Sequence, residues 1–543
     1  MGAAPVLNPD LPRHPSIVHA FHAAVAEHSE SLALVCRERR LTYAELGRAV
    51  AGLTERLTEL GVAGQRVAIA MSSSIEAVVA VMAVLAAGGQ AAPVNPFFTL
   101  PELEVVLGEA RPAVAVTGAE ASEKIHALAG PLGIGSVLTF GGTGAGSLDL
   151  DRLLLETEPR RAANMLFVPD KPALLIFTGG TTGEPKAVEH SHRSLFVSVL
   201  QHCSVWPVEK GRERFLSAAP IFHIWGLSYA TFVPLYSAGS LVIVPKYDPE
   251  EILRAIEHER ISVFGGGPAP VYFGLRQSPR YATTDFSSLK YSLSGGAPCP
   301  EELHREWERH TGCPLLEGWG MSEAAPLCLN RPAERKPLSV GRAVAETDVE
   351  VVDLESGSRV LGIGESGEVR VRGPQVMLGY RGRSEATEAV LRGGWLYTGD
   401  IGHLDADGNL FLVDRKKDMI IVGGYNVYPR QVDELLFKHP KIAEAATVGR
   451  PDARLGEVLV AFVVLEPGAS LSEAEFFEYC RLNLVKYRRP VSVSFVASLP
   501  RTNARKIDKK ALRARCVESV QAAGGEGDPD DEQQGAHGHE QHG

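Results

Sequence analysis

The chain has 543 residues, 45% of them hydrophobic, and a formal charge of −11, which is more apolar material than one core takes up and fits several globular domains of roughly 100 to 200 residues each. Six acidic side chains within residues 521–543 (Glu526, Asp528, Asp530, Asp531, Glu532, Glu540), with no Lys or Arg among them, account for much of that charge, so the body carries near −5, which is −11 without those six. No basic stretch invites nucleic acid, no apolar run is long enough for a membrane span, and seven scattered cysteines without a CxxC pair suggest neither a disulfide framework nor a zinc site.

Residues 41 to about 118 alternate between helix and strand patterns: TYAELGRAVAGLTERLTEL, RVAIAM, IEAVVAVMAVLAAG, QAAPVN, a helix opening at Pro101-Glu102, and AVAVTG. Such alternation predicts a parallel, doubly wound sheet. It returns in ALLIF, a helix near SHRSLFVSVL, RFLSAAP, a long apolar helix, SLVIVP, EEILRAIEHER and ISVFGG. Short β segments with turn signals follow (VEVVDLESG, GESGEVRVRG, GNLFLVDR) and predict a β-rich subdomain. Beyond Asp414 the strands EVLVAFVVLE and VSVSFVA around the helix EAEFFEYCRLNL predict a small α+β domain. The fold class expected is therefore α/β: an N-terminal domain over 1–414 built of two doubly wound α/β subdomains and a β-rich one, a mobile α+β C-terminal domain over 415–520, and a disordered acidic, His-containing tail over 521–543. The start lacks a basic segment followed by an apolar stretch, so a cytoplasmic protein is expected.

One segment carries chemistry on its own. After ALLIF come Thr178-Gly179-Gly180-Thr181-Thr182-Gly183-Glu184-Pro185-Lys186. The glycines let backbone amides turn toward an anion, the threonines add hydroxyl donors, and Lys186 supplies a charge suited to phosphate. No GxxxxGK[ST] can be laid on it, so it is not a Walker A loop. A ligand-free Gly/Thr turn between strands is the alternative.

This loop resembles the phosphate-binding signature of the acyl-adenylate-forming superfamily, which includes acyl-CoA synthetases, luciferases and peptide-synthetase adenylation domains. Further segments resemble that superfamily's motifs in the same order: Pro220 to Gly226 around His223, Ser294-Gly295-Gly296-Ala297-Pro298, Glu317-Gly318-Trp319-Gly320-Met321-Ser322-Glu323, Trp395 to Asp400, Asp414 to Asp418, and Pro500 to Ile507. The likeness runs from about residue 15 to about 515 and is nearest to acyl-CoA ligases.

The resemblance implies roles. Thr178 to Gly183 and Lys186 would cradle ATP phosphates, Gly295 to Pro298 would border the adenine, and Glu317 to Ser322 would line the nucleotide. Trp319 offers a face for adenine stacking worth about 1 kcal/mol, against the alternative of an ordinary core tryptophan. Glu323 is a hard oxygen ligand for Mg²⁺ on ATP, Asp400 would accept ribose hydroxyls, and Arg415 would contact ribose or phosphate. His223 would guard the acyl and pantetheine path, a satisfied core histidine being the alternative. Lys506 is the catalytic candidate, because a cation reaching both carboxylate and α-phosphate offsets their repulsion in the transition state; a solvated basic face shared with Lys509 and Lys510 competes with this reading. Lys417 would be a hinge whose rotation withdraws Lys506 and brings in Gly423-Gly424-Tyr425, where two glycines let a pantetheine arm pass; an ordinary strand-to-strand turn explains those glycines equally well. The chain departs from the usual pattern at Gly179, Ala187 and Arg505.

The activity implied is ATP-dependent conversion of a carboxylic acid to an acyl-adenylate, then to a thioester of coenzyme A. Transfer to the phosphopantetheine of a carrier protein is the nearest alternative, and a non-catalytic nucleotide or acyl sensor is one of another class. The acyl pocket is expected along Phe222–Leu227, Phe264–Pro270 and residues after Ser294, with Gly265, Gly266, Gly267 and Ala269 leaving room for a fatty or aryl acid.

Overall fold

The computed structural model describes residues 6–143, 146–156, 168–178, 185–452, 454–502 and 506–524. Of the predicted phosphate loop, Gly179 to Glu184 lie outside the described residues, as do Arg505 and residues 525–543. The chain divides into two compact units, Met1–Lys416 with Asn503–Lys506, and Lys417–Thr502 with Ile507–Gly543.

Among the described residues the first unit contains three sheets. One is nine-stranded, in the order Arg342–Ala343, Ala324–Leu329, Leu315–Met321, Tyr291–Gly295, Val263–Gly267, Arg214–Ser217, Ser240–Ile243, Leu32–Cys36, Arg39–Thr42. Its middle strands, from Leu315–Met321 across to Leu32–Cys36, pair in parallel, and antiparallel strands close both edges. An eight-stranded sheet runs Gly379–Tyr380, Lys186–Ser191, Pro172–Thr178, Gln90–Val94, Arg66–Ala70, Val114–Thr117, Ser136–Phe140, Ser147–Leu148. The third is an antiparallel sheet of Asp348–Val352, Gly367–Arg372, Trp395–Leu404, Leu391–Arg392 and Leu410–Arg415. The doubly wound pair and the β-rich subdomain are thus as the alternation predicted.

Parallel strands buried on both faces need apolar helices to cover them. The helix Ile75–Ala86 meets that demand: all of its residues but Glu76 are buried, its N-terminus is capped by Ser74, and it joins one core with the helices Ile17–Glu27 and Tyr43–Glu59. A helix apolar all round is a buried helix. Tyr43–Glu59 is amphipathic instead and starts in a capping box of Thr42 and Glu45, which satisfies two of its orphan amides.

Two features differ from the sequence expectation. The long apolar helix after RFLSAAP is split into Ile224–Ser228 and Phe232–Tyr236. Pro234 has no amide to offer the Ala230 carbonyl, and the hydroxyl of Thr231, the residue before the second helix, donates to the Gly226 carbonyl at 2.7 Å. At the other end of the chain, the helix Lys509–Gly524 continues past residue 520, because Val520 to Ala523 carry no helix breaker and the first stop signal is Gly524.

The second unit is α+β: a hairpin of Ile420–Val422 and Tyr425–Val427, the long antiparallel pair Ile442–Asp452 and Gly456–Leu465, and Ser492–Phe495 parallel to the latter. Helices Pro429–Phe437 and Glu473–Asn483 cover one face through Val432, Leu436, Phe476 and Cys480.

Gly226 lets the helix Ile224–Ser228 fold over the turn before it, since a β-carbon there would stand 2.0 Å from the Pro220 carbonyl oxygen. Gly226→Ala is expected to destabilise the first unit by about 1–3 kcal/mol, the usual range for overpacking, read as a lowered thermal midpoint.

Candidate active site

Adjacent parallel strands all end on one edge of their sheet. Here four neighbours, Leu315–Met321, Tyr291–Gly295, Val263–Gly267 and Arg214–Ser217, put their carboxyl ends side by side. The segments that leave those ends are Met321-Ser322-Glu323, Gly296-Ala297-Pro298, Pro268-Ala269 and Pro220 to His223. The register sets Ser294 beside Glu317 and Gly295 beside Gly318. Crevices at the carboxyl ends of such strands are where open α/β sheets bind ligands. A β-carbon on Gly295 would stand 2.8 Å from the Gly318 carbonyl oxygen, and one on Gly318 would meet Leu329 at 2.7 Å, so these glycines permit the close approach of strands that builds the edge.

Trp319 is buried, with 8% of its surface exposed, and packs with Val188, Leu327 and Cys328. Its indole N–H donates to Asp400 Oδ2 at 2.9 Å, and Arg415 Nε donates to Asp400 Oδ1 at 2.8 Å. Asp400 and Arg415 face each other across two paired strands, and the Asp400 amide donates to the Thr398 hydroxyl. The edge of Trp319 thus orients a buried carboxylate.

Glu323 is buried as well, at 8% exposure. The hydroxyl of Tyr380 donates to Glu323 Oε1 at 2.6 Å, and the Lys186 ammonium lies 4.7 Å from the centre of the Tyr380 ring. Burial, reinforced by the Glu323 charge, raises the Tyr380 phenol far above its ordinary value, so it stays a donor. Buried His190 donates Nε2–H to the Ser322 carbonyl at 2.7 Å. Lys186 pairs opposite Thr178 across the hairpin that leads into and out of the predicted phosphate loop. Sequence reading missed Tyr380 and His190. The signal for His190 was its alternation with buried Val188 on the strand after the loop, and Tyr380 had no local signal.

His223 caps the helix Ile224–Ser228, its Nδ1 accepting the Trp225 amide at 3.3 Å. Behind it the rings of Trp225 and Tyr229 stack at 5.0 Å. Gly296 has φ +79°, and the Lys506 side chain, which groups with the first unit, comes to 3.6 Å from where a β-carbon on Gly296 would stand. The expected room at Gly265 to Gly267 is found at Gly267 alone, which has φ +95° and open space. A β-carbon on Gly265 would contact Tyr229 at 3.6 Å, and one on Gly266 would collide with the Tyr272 hydroxyl at 2.6 Å; Ala269 is buried.

In the second unit, Gly423 (φ +56°) and Gly424 (φ +85°) form the two-residue turn of a hairpin in which Val422 pairs with Tyr425. Positive φ at both positions is what such a turn requires. Tyr425 is exposed and stacks on Tyr487 at 4.5 Å.

Residues 21–381 match the family described as AMP-binding enzyme, and residues 431–506 the AMP-binding enzyme C-terminal domain. The chain belongs to this family. It is 34% identical to the long-chain-fatty-acid–CoA ligase of Bacillus subtilis (strain 168), over 83% of this chain and 85% of that enzyme, and 37% identical to the feruloyl-CoA synthase of an Amycolatopsis species, over 88% and 94%. Among solved structures, ATP-bound MatB from Rhodopseudomonas palustris superposes with a TM-score of 0.85 at 32% identity, over 92% of this chain and 98% of that one. The anthranilate CoA ligase AuaEII in complex with anthranoyl-AMP gives 0.85 at 26% identity, over 94% and 99%. The AMP-binding enzyme described here is thus an AMP-forming acid–thiol ligase that uses ATP and coenzyme A.

Magnesium is the metal this chemistry implies. Among the described residues there is no group of three or more His, Cys, Asp or Glu that could hold a metal alone, so a bound ion would be shared between a protein carboxylate and nucleotide phosphates.

Four histidines of the first unit are kept neutral by burial: His190 and His192 are pushed down to about 4, and His202 and His223 to about 3, the last also by the Lys506 charge. Unfolded, each takes up a proton near 6.5. The unfolded state then binds more protons as pH falls below 6.5, so their contribution to stability is present above that value and is lost as pH falls toward 4. Urea unfolding at about pH 5 should give a lower midpoint than at about pH 7.

Proposed function

We propose that this enzyme activates a fatty or aryl carboxylic acid, with Lys506 as the adenylation lysine, Glu323 as the magnesium ligand and Gly423-Gly424-Tyr425 as the pantetheine passage. The acid class follows the names of its relatives, the long-chain-fatty-acid–CoA ligase and feruloyl-CoA synthase, and of the anthranilate CoA ligase among its structural neighbours.

The observation that carries this reading is the gathering of Lys506, Gly296 and His223 at one sheet edge, with Lys506 close enough to lower the proton affinity of His223. A cation there can lie against both the acid carboxylate and the α-phosphate. It neutralises the repulsion between two anions and the charge that builds on phosphorus as the carboxylate attacks and pyrophosphate leaves. His223, neutral and fixed by its own helix cap, orients without adding charge. Asp400, held by Trp319 and Arg415, is placed to accept from ribose hydroxyls, with Arg415 beside it. Thr178 and Lys186 flank the phosphate loop whose inner residues are Gly179, Gly180, Thr181, Thr182 and Gly183. Gly295, Gly296, Ala297 and Pro298 would border the adenine, with Glu317 to Ser322 alongside. When bound, magnesium would draw charge from the phosphates through Glu323.

Domain roles follow. The boundary between the compact units falls after Lys416, which supports Lys417 as the hinge between an adenylating N-terminal domain and a mobile C-terminal one. A cytoplasmic enzyme fits seven scattered cysteines without a CxxC pair and the absence, among the described residues, of a helix long and apolar enough to cross a membrane.

Acid-dependent pyrophosphate release, measured over fatty, aryl and amino acids with and without coenzyme A, tests the proposal. Lys506→Ala is expected to lower adenylation by about 10²–10³, the usual loss on removing one transition-state electrostatic partner. Unchanged release in that variant would remove Lys506 from the mechanism, and adenylate without thioester would point to a carrier-protein acceptor.

A further inference from the structure

Glu323 and Lys186, the two charged groups that flank the phosphate site, come from different sheets. Glu323 follows the end of the strand Leu315–Met321 in the nine-stranded sheet, and Lys186 opens an outer strand of the eight-stranded one. One short segment ties them together. The Met377 amide donates to the Glu323 carbonyl at 2.8 Å, and Val376 bridges Ala324. On the other side the Leu378 amide donates to the Glu189 carbonyl and the Arg381 amide to the Ala187 carbonyl, both at 2.8 Å, with Tyr380 in register with Val188. The Tyr380 amide is fixed in turn by the Thr387 hydroxyl at 2.9 Å. Its buried side chain reaches both charges, the hydroxyl at Glu323 and the ring face beneath Lys186.

We propose that Tyr380 is the positioning residue of the phosphate site, its hydroxyl orienting the Glu323 carboxylate for the metal and its ring holding Lys186 toward the nucleotide. The two jobs belong to different parts of one side chain. A carboxylate that must bind a divalent ion gains from a donor on one oxygen, which fixes its plane and leaves the other oxygen to the ion. A lysine ammonium over an aromatic face is held by the ring quadrupole with no hydrogen bond used, so its donors remain available for phosphate oxygens. The inference rests on the reading of Glu323 as the metal ligand.

The roles separate by substitution in the full-length enzyme. Tyr380→Phe keeps the ring and loses the donor; Tyr380→Leu loses both. Mn²⁺ binding to the enzyme with a non-hydrolysable ATP analogue, followed by electron paramagnetic resonance, and analogue binding in EDTA, followed by calorimetry, report the two roles without turnover. Tyr380→Phe is expected to weaken Mn²⁺ about tenfold, as loss of an outer-shell partner does, and to leave binding in EDTA unchanged, while Tyr380→Leu weakens both. Should Tyr380→Leu fail to fold, Tyr380→Phe decides on its own. Wild-type Mn²⁺ affinity in Tyr380→Phe, together with weakened affinity in Glu323→Gln, overturns the role of the tyrosine alone. Wild-type affinity in Glu323→Gln overturns the metal assignment of Glu323 and this inference with it.

Discussion

Parallel pairing of strands is the constraint on which the rest depends. Parallel neighbours must return through a crossover, so their carboxyl ends collect on one edge while helices occupy both faces. That alone brings Gly296, Glu323 and His223, which are far apart in sequence, to a common line. The candidate edge is a product of backbone hydrogen bonding before any side chain is chosen. What the side chains add is charge placed against burial: Asp400 and Glu323 are both sunk below the surface and both given donors, Trp319 and Arg415 for one and Tyr380 for the other.

Much of this was legible in the sequence, and the reason is local. Strand and helix periods, the capping boxes and the glycine-rich turns are set by residues within a few positions of each other, and the motif order pointed to the candidate edge. The helix break between Ser228 and Phe232 was missed because an apolar run hides its own interruption, although Pro234 marks it. The edge contact of Trp319 was not foreseen, since its partner Asp400 lies 81 residues away. Tyr380 was invisible for the same reason, being 57 residues from Glu323. The triple glycine at 265–267 was overread: in a strand alternate positions face opposite sides, so the three could not all open onto one pocket.

The pairing of Leu34 with Leu241 and of Val35 with Val242 joins the start of the first unit to a strand some two hundred residues later. Helices and local hairpins can form as the chain is made, but the hairpin Leu32–Thr42 has no parallel neighbour to bind until Ser240–Ile243 exists. Contacts of such long separation are slow to close. On the ribosome, the nascent chain must therefore hold an unfilled sheet edge, and the apolar helix Ile75–Ala86 beside it, through much of synthesis. Exposed strand edges and apolar surface of this kind are what chaperones retain, so this chain is expected to depend on translation speed and chaperone supply more than its motif content would suggest.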